Sequence, residues 1–458
     1  MNPLNPRPSI RVALAVILLG GLNLGGLNPA DAADPGARAT GTPLARYLET
    51  FALDREAREI LDPGHGWGDD QTALVIRVLL RIMLAPPEFL EAWRDKSVPP
   101  AALATPPEDR FVHLRGSAVF VAEVMLPEAV ATPTGRRSID LVRIRTDGGE
   151  FIDVVTDAAP RAWRRSHDLD EPAEVFGLPV AAGIGPIPAP PPDGAPWPSA
   201  PPARLLVAAR VAWHPAKLPG SAGMDMGLLD AVVDGQKLTG AESDAFYALL
   251  AAAGRAGEGA IASAAGPPAP LIRLIDPAEQ WFQHHRGAPI AVDGLALRAT
   301  RIEIDDPLRQ RETGIDHYWE VFVFVNTPLI SVGGKAQDRY PVVCCLRSLP
   351  PGMPTGPTIS APVRVAGFAL KSYAYPLPKG DGTELRREAP LLIGADLEWR
   401  RQAAPAAGGV MSSVLFGLAA VVVAGVALAL WAGRRDARKR AQNRRAALPD
   451  RFTPPGAA

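Results

Sequence analysis

From Val410 to Ala432 the chain runs for 23 residues without a charged side chain. A helix over this stretch measures about 34 Å at 1.5 Å per residue, enough to cross a hydrocarbon core of about 30 Å with some tilt. Trp431 stands at its end, where an indole suits the interface, and Arg434, Arg435, Arg438, Lys439 and Arg440 follow at once. That basic flank marks a cytoplasmic side. The stretch therefore predicts a transmembrane helix over 410–432, reached through a short tether at 401–409 and followed by a basic cytoplasmic tail over 433–458. The tail is too short to fold, and its Arg444 and Arg445 suit contact with anionic lipid.

The other end carries the matching device of an exported chain. Arg7 and Arg11 precede an apolar stretch from Val12 to Leu27, and Ala30, Asp31 and Ala32 form a small-residue A-x-A site. This is the layout of a secretory signal peptide over 1–32, cleaved before Ala33. Gly20, Gly21, Asn23, Gly25 and Gly26 interrupt the stretch and weaken it as a permanent span. The two ends predict a single-pass cell-membrane protein with a large periplasmic part.

That part is long enough for two domains within the 458 residues. The net charge of -1 is unevenly spread: the last 25 residues hold eight Lys or Arg against Asp436 and Asp450, the first 32 carry +1, and the exported part is left near -8. A mildly acidic surface gives no reason to expect nucleic acid as a partner. Proline, at 49 residues, is about twice the roughly 5% of average proteins, so long helices should be few. Cys344 and Cys345 are adjacent within Val342–Leu346, which reads as a strand. Neighbours on a strand point to opposite faces, so two buried thiols are expected and no disulfide framework.

Self-similarity organises the middle of the chain. Asp69 to Leu84 reads as a helix, followed by a proline break, Trp93, and a strand from His113 to Leu126 that carries Gly116. The same order returns as a helix from Gly240 to Gly254, a proline break, Trp281, and a strand from Gly294 to Ile304. Further strands follow each: Leu141–Arg145, Phe151–Val155, Ala173–Val180 and Leu205–Trp213 in the first copy, with Asp147, Gly148 and Gly149 as a hairpin turn. The second copy has Tyr318–Val325, Val342–Leu346, Val363–Tyr375 and Leu391–Trp399, with Gly367 marking a bulge or corner. The reading is α+β: two repeats, 33–218 and 219–400, each a helical part before a small five-stranded antiparallel barrel or sandwich of the oligonucleotide/oligosaccharide-binding shape. Thr42 and Pro43 open a helix running to about Leu61, and Thr239 with Glu242 forms a capping box. Nine of the eighteen residues from 186 to 203 are proline, an extended insert in the first repeat.

Catalytic signatures are missing. There is no G-x-S-x-G elbow, H-E-x-x-H, paired C-x-x-C, P-loop or G-x-G-x-x-G, and no catalytic, cofactor-binding or metal-ligating residue is assigned. His284 and His285 adjoin but diverge on either a strand or a helix, so two solvated side chains are a better reading than zinc ligands. Glu303, Asp305 and Asp306 are the densest acidic cluster, read as a solvated turn before Pro307 in preference to a calcium site at a strand end, and otherwise as the carboxylates of a hydrolase. Phe368, Lys371, Tyr373 and Tyr375 on the fourth strand are the candidate binding surface, a stacking platform for sugar or base, although half core and half amphipathic cover is the preferred reading of the same four residues.

The stretch from Pro341 to Tyr375 and the C-terminal anchor resemble bacterial envelope proteins that combine a signal peptide, small barrel repeats and one C-terminal span. The resemblance implies no activity and supplies no functional residue. The expectation is a non-catalytic, membrane-anchored envelope protein whose modules bind a protein partner or an envelope glycan, without a cofactor. The alternatives are a carboxylate hydrolase or a subunit of a membrane complex, with Gly417, Ala420 and Gly425 letting a second helix approach.

Overall fold

Every residue from Val342 to Leu346 is apolar, so both faces of that strand must be covered. They are: Val342, Cys344 and Leu346 pack into one buried cluster, and Val343 and Cys345 into another. Both cysteines are free and buried. The computed structural model of the chain describes residues 42–54, 56–61, 68–100, 109–165, 168–182, 204–276, 278–332, 335–378 and 384–401. The expected signal peptide, the insert at 186–203, the transmembrane helix, Trp431 with its basic flank and the tail lie outside the described residues. Among the described residues no helix is long and apolar enough to cross a membrane.

The architecture is α+β, with two six-stranded sheets. Helices α1 (Pro43–Glu49), α2 (Asp69–Leu84) and α3 (Pro87–Asp95) precede β1 (Val112–Met125); α4 (Glu128–Thr134) leads into β2 (Ser138–Thr146), β3 (Phe151–Thr156), β4 (Glu171–Ala182), β5 (Arg204–Val207) and β6 (Ala212–Trp213). The second half repeats the plan. Helices α5 (Ser243–Ala256), α6 (Glu258–Ala265), α7 (Leu271–Ile275) and α8 (Trp281–His285) precede β7 (Pro289–Glu303); α9 (Pro307–Thr313) leads into β8 (His317–Val332), β9 (Lys335–Leu346), β10 (Ala361–Pro378), β11 (Glu384–Gly394) and β12 (Leu397–Trp399).

Each sheet closes on itself. In the first the order is β1-β2-β3-β5-β4, and β1 also pairs with β4; in the second β7-β8-β9-β11-β10, and β7 also pairs with β10. Two features depart from the expectation of five antiparallel strands. The pairs β3–β5 and β9–β11 are parallel. A sixth short strand, β6 or β12, adds to the fourth strand of each ring.

The duplication extends to single residues. Around the first ring, partners run Val121, Val142, Val154, Leu206, Pro179. Around the second they run Ala299, Val321, Cys344, Leu392, Ala369. Five positions before Val121 and Ala299 stand Gly116 and Gly294, where the first strand passes from one neighbour to the other. A Cβ on Gly116 would lie 2.3 Å from the Arg145 carbonyl oxygen, and one on Gly294 2.6 Å from that of Phe324. Only glycine permits the two backbones to approach so closely at this crossing. Both strands then shift register two residues on, between Ala118 and Phe120 and between Ala296 and Arg298. Trp213 and Trp399 occupy matching places opposite Ala173 and Val363.

Helices cover one face of each ring. Leu74, Val75, Val78 and Leu79 of α2 pack with Leu141, Val155, Leu205 and Val207, while Phe246, Leu249 and Leu250 of α5 pack with Val343, Leu391 and Ile393. Helix α1 begins as expected, with Thr42 accepting from the Ala45 amide, but stops at Glu49 and does not reach Leu61. Ala52 adopts a left-handed conformation (φ 52) that turns the chain and brings Leu53 into the core. Burial of that leucine outweighs the helical preference of the sequence that follows.

Candidate functional site

The fourth strand of the second ring sorts its four candidate residues into two groups. Phe368 and Lys371 are fully buried, so neither belongs to a binding surface. Phe368 packs against α5. Lys371 donates to Glu242, also fully buried, whose carboxylate further accepts from the Val233 amide (3.0 Å) and from the Thr239 amide (2.8 Å) and hydroxyl (3.0 Å). The capping box at Thr239 is thereby tied to the barrel. Burial alone would raise the Glu242 carboxyl, but these donors outweigh it and hold the group below its usual value.

Tyr373 and Tyr375 are half-buried and face each other, ring centres 6.4 Å apart. Tyr375 meets the edge of Phe322 of β8 at 5.8 Å, and the Arg298 guanidinium of β7 lies 3.9 Å over the Phe322 ring. Arg298 donates through Nη2 to Glu320 at 2.6 Å, while its buried Nε finds no hydrogen-bond partner among the described residues. A row therefore runs Arg298, Phe322, Tyr375, Tyr373, each half-buried. Burial pushes the Tyr373 hydroxyl up, so it stays a neutral donor at physiological pH.

The same end of the barrel is opened by two prolines. The parallel ladder β9–β11 begins at Val343 and Leu391. Just upstream stand Pro341 and Pro390, which have no N–H to continue it. There the Tyr340 hydroxyl donates to the Glu388 carbonyl at 2.8 Å in place of a backbone bond. Phe322 pairs with Val343, and Tyr375 with Arg387, so the ring row spans the place where the ladder gives out.

Arg298, Glu320 and Phe322 were not singled out from sequence. Arg298 and Phe322 are cross-strand partners only through the register shift after Ala296, which leaves no mark in the composition. In the first ring the corresponding partners are Phe120 and Arg143, the same two residue types exchanged between strands.

The acidic cluster serves local structure. Asp306 caps α9 by accepting from the Leu308 amide (2.8 Å), and Glu303 pairs with Arg301 (3.0 Å). His285 stacks on Trp281 and bonds its carbonyl. A cleft of about 360 Å³ lies among Asp157, Arg164, Arg210, Asp230 and Asp244. Its charges are mostly satisfied from within the protein: Arg164 by Asp140, Asp157 by Arg136, Arg210 by Asp225 and Asp244 by Arg309.

Comparison with protein-family models gives no match for this chain, and comparison with curated proteins gives none either.

Proposed function

We propose that the chain is a non-catalytic binding protein, displayed from the cell membrane by its C-terminal span, whose second barrel holds a linear envelope polysaccharide. The carrying observation is the row Arg298, Phe322, Tyr375, Tyr373, in which the Arg298 side chain remains 42% exposed. Sugars are held by C–H faces laid against aromatic rings and by planar, bidentate polar groups at the ring edge. The row offers the Tyr373 and Tyr375 rings and, in the partly exposed Arg298 side chain, a planar polar group. Two further features support the reading: the ring order, with one parallel pair between third and fifth strands, suits a barrel of the oligonucleotide/oligosaccharide-binding shape, and the acidic exported part gives nucleic acid no electrostatic attraction.

The test is co-sedimentation of the full-length protein, in gentle detergent, with purified peptidoglycan sacculi. The unmodified protein should pellet with them, and Tyr373→Ala/Tyr375→Ala should weaken the association at least tenfold. A protein that stays in the supernatant sinks the polysaccharide reading. If an envelope protein is instead retrieved from detergent extract, and the double variant loses it, the row is a protein-docking surface.

A further inference from the structure

His214 follows β6 directly, where the first barrel hands the chain to the second half. Its Nε2 faces Glu174 Oε2 at 3.1 Å, and its Nδ1 faces the Met224 carbonyl oxygen at 2.9 Å. Both partners are acceptors. A neutral imidazole carries one N–H and can satisfy only one of them; the imidazolium satisfies both. The two acceptors belong to different halves of the molecule. Glu174 sits on β4 of the first ring, whereas Met224 is fully buried in the cluster formed by α5 and the second ring.

We propose that His214 is a proton-dependent latch that fixes the segment joining the two barrels, residues 214–231, against the first barrel. Protonated, it bridges Glu174 and Met224. Deprotonated, it releases one of them and leaves a lone pair facing an acceptor.

The surroundings are arranged for this. From β1, His113 Nε2 (2.6 Å) and Arg115 (2.8 Å) also reach Glu174 Oε1, so the carboxylate remains charged whatever His214 does. From the joining segment, Asp225 adds negative charge, accepts from the Trp213 and Gly227 amides and pairs with Arg210. Glu171 of β4 accepts from the Trp213 indole, and Arg94 of α3 acts on the same Asp225. The hydrogen bond to Glu174 is the main reason the His214 pKa is raised, with the Met224 carbonyl adding to it and burial opposing it.

The second barrel supplies the contrast. By the shared register the places of Arg115, Glu174 and His214 fall to Asp293, Arg364 and Arg400. There Arg400 pairs with Asp293 (3.3 Å) and Glu398 (3.5 Å), an arrangement without a group that titrates near neutrality. Of the two matching positions, only the one at the joint carries a histidine.

The sign follows from the raised pKa. The latch is complete below the ordinary histidine value of about 6.5 and is lost as pH rises through the higher value His214 has in the fold. Hydrogen exchange of the full-length protein, corrected for intrinsic chemical rates, should show protection of 214–231 falling at least tenfold between pH 6 and pH 9, while 397–400 stays level as an internal reference. His214→Gln, which donates to Glu174 but does not titrate, should remove the slope; His113→Gln should keep it. A level profile across 214–231 in the unmodified protein overturns the proposal, and so does the same slope in His214→Gln. Should that variant not fold, the titration of the His214 Cε1 proton in the unmodified protein decides: a midpoint at or below 6.5 is equally fatal.

Discussion

At the scale of single residues, the fold depends on a few charged groups held where water is scarce. Lys371 and Glu242 are both fully buried, and removing one partner strands the other without compensation. Lys371→Met should cost roughly 3–5 kcal/mol, and Lys371→Met/Glu242→Gln clearly less, because the double change removes the orphan. Urea unfolding of the three proteins measures the difference. Glu174 is a second such group. Hydrogen bonds from His214, then His113 and Arg115, outweigh burial and hold its pKa down to about 2. A depressed carboxylate contributes stability above its ordinary value of 4.5 and loses it as pH falls through 2. The urea midpoint should therefore fall steeply between pH 4.5 and 2, and Glu174→Gln, weaker at neutral pH, should give a flatter profile. Tyr373 and Tyr375 show what sequence could reveal at this scale. The split into half core and half cover was legible on that strand, but that the buried half would include Lys371, paired with Glu242, was not. The shift between Ala369 and Lys371 changes which residues share a face, so counting by twos from Phe368 fails beyond it.

At the scale of elements, the strands and their order were readable, because alternating and fully apolar runs separated by Gly and Pro report strands directly. The parallel pairs were not. They follow from ring closure, to which local patterning is blind, as it is to the crossing of the first strand, which rests on the absence of a side chain at Gly116 and Gly294. Gly294→Val would drive a side chain into the Phe324 carbonyl, and about 3 kcal/mol of destabilisation is expected from the overpacking. Gly314→Ala, at a left-handed helix end with open space around it, should cost only about 1 kcal/mol from backbone strain. Thermal unfolding of the two variants checks the ranking; equal losses would mean that the crossing tolerates a wider separation. Helix α1 was over-extended from sequence for a related reason: the spacing of Leu44, Leu48 and Phe51 is helical, yet the burial of Leu53 demands a turn.

At the scale of the molecule, the buried clusters divide along the chain. Those of the first ring hold fully buried residues up to Val211, and those of the second begin at Met224. Two rings that share no buried cluster can each unfold cooperatively even though both lie within one compact unit. Calorimetry should resolve two transitions, and replacing a residue of one core, such as Val321→Ala, should lower one of them and leave the other in place. A single sharp transition that shifts as a whole would show that the joint couples the barrels tightly.

The two rings differ most in one connection. Between β10 and β11 the second copy spends five residues, 379–383, whereas between β4 and β5 the first spends twenty-one, 183–203. The ring partners on either side are nevertheless the same by register. Two connections that differ by sixteen residues thus join strands of matching register, so a short tag inserted between β10 and β11 should leave the pairing of the second ring as it is.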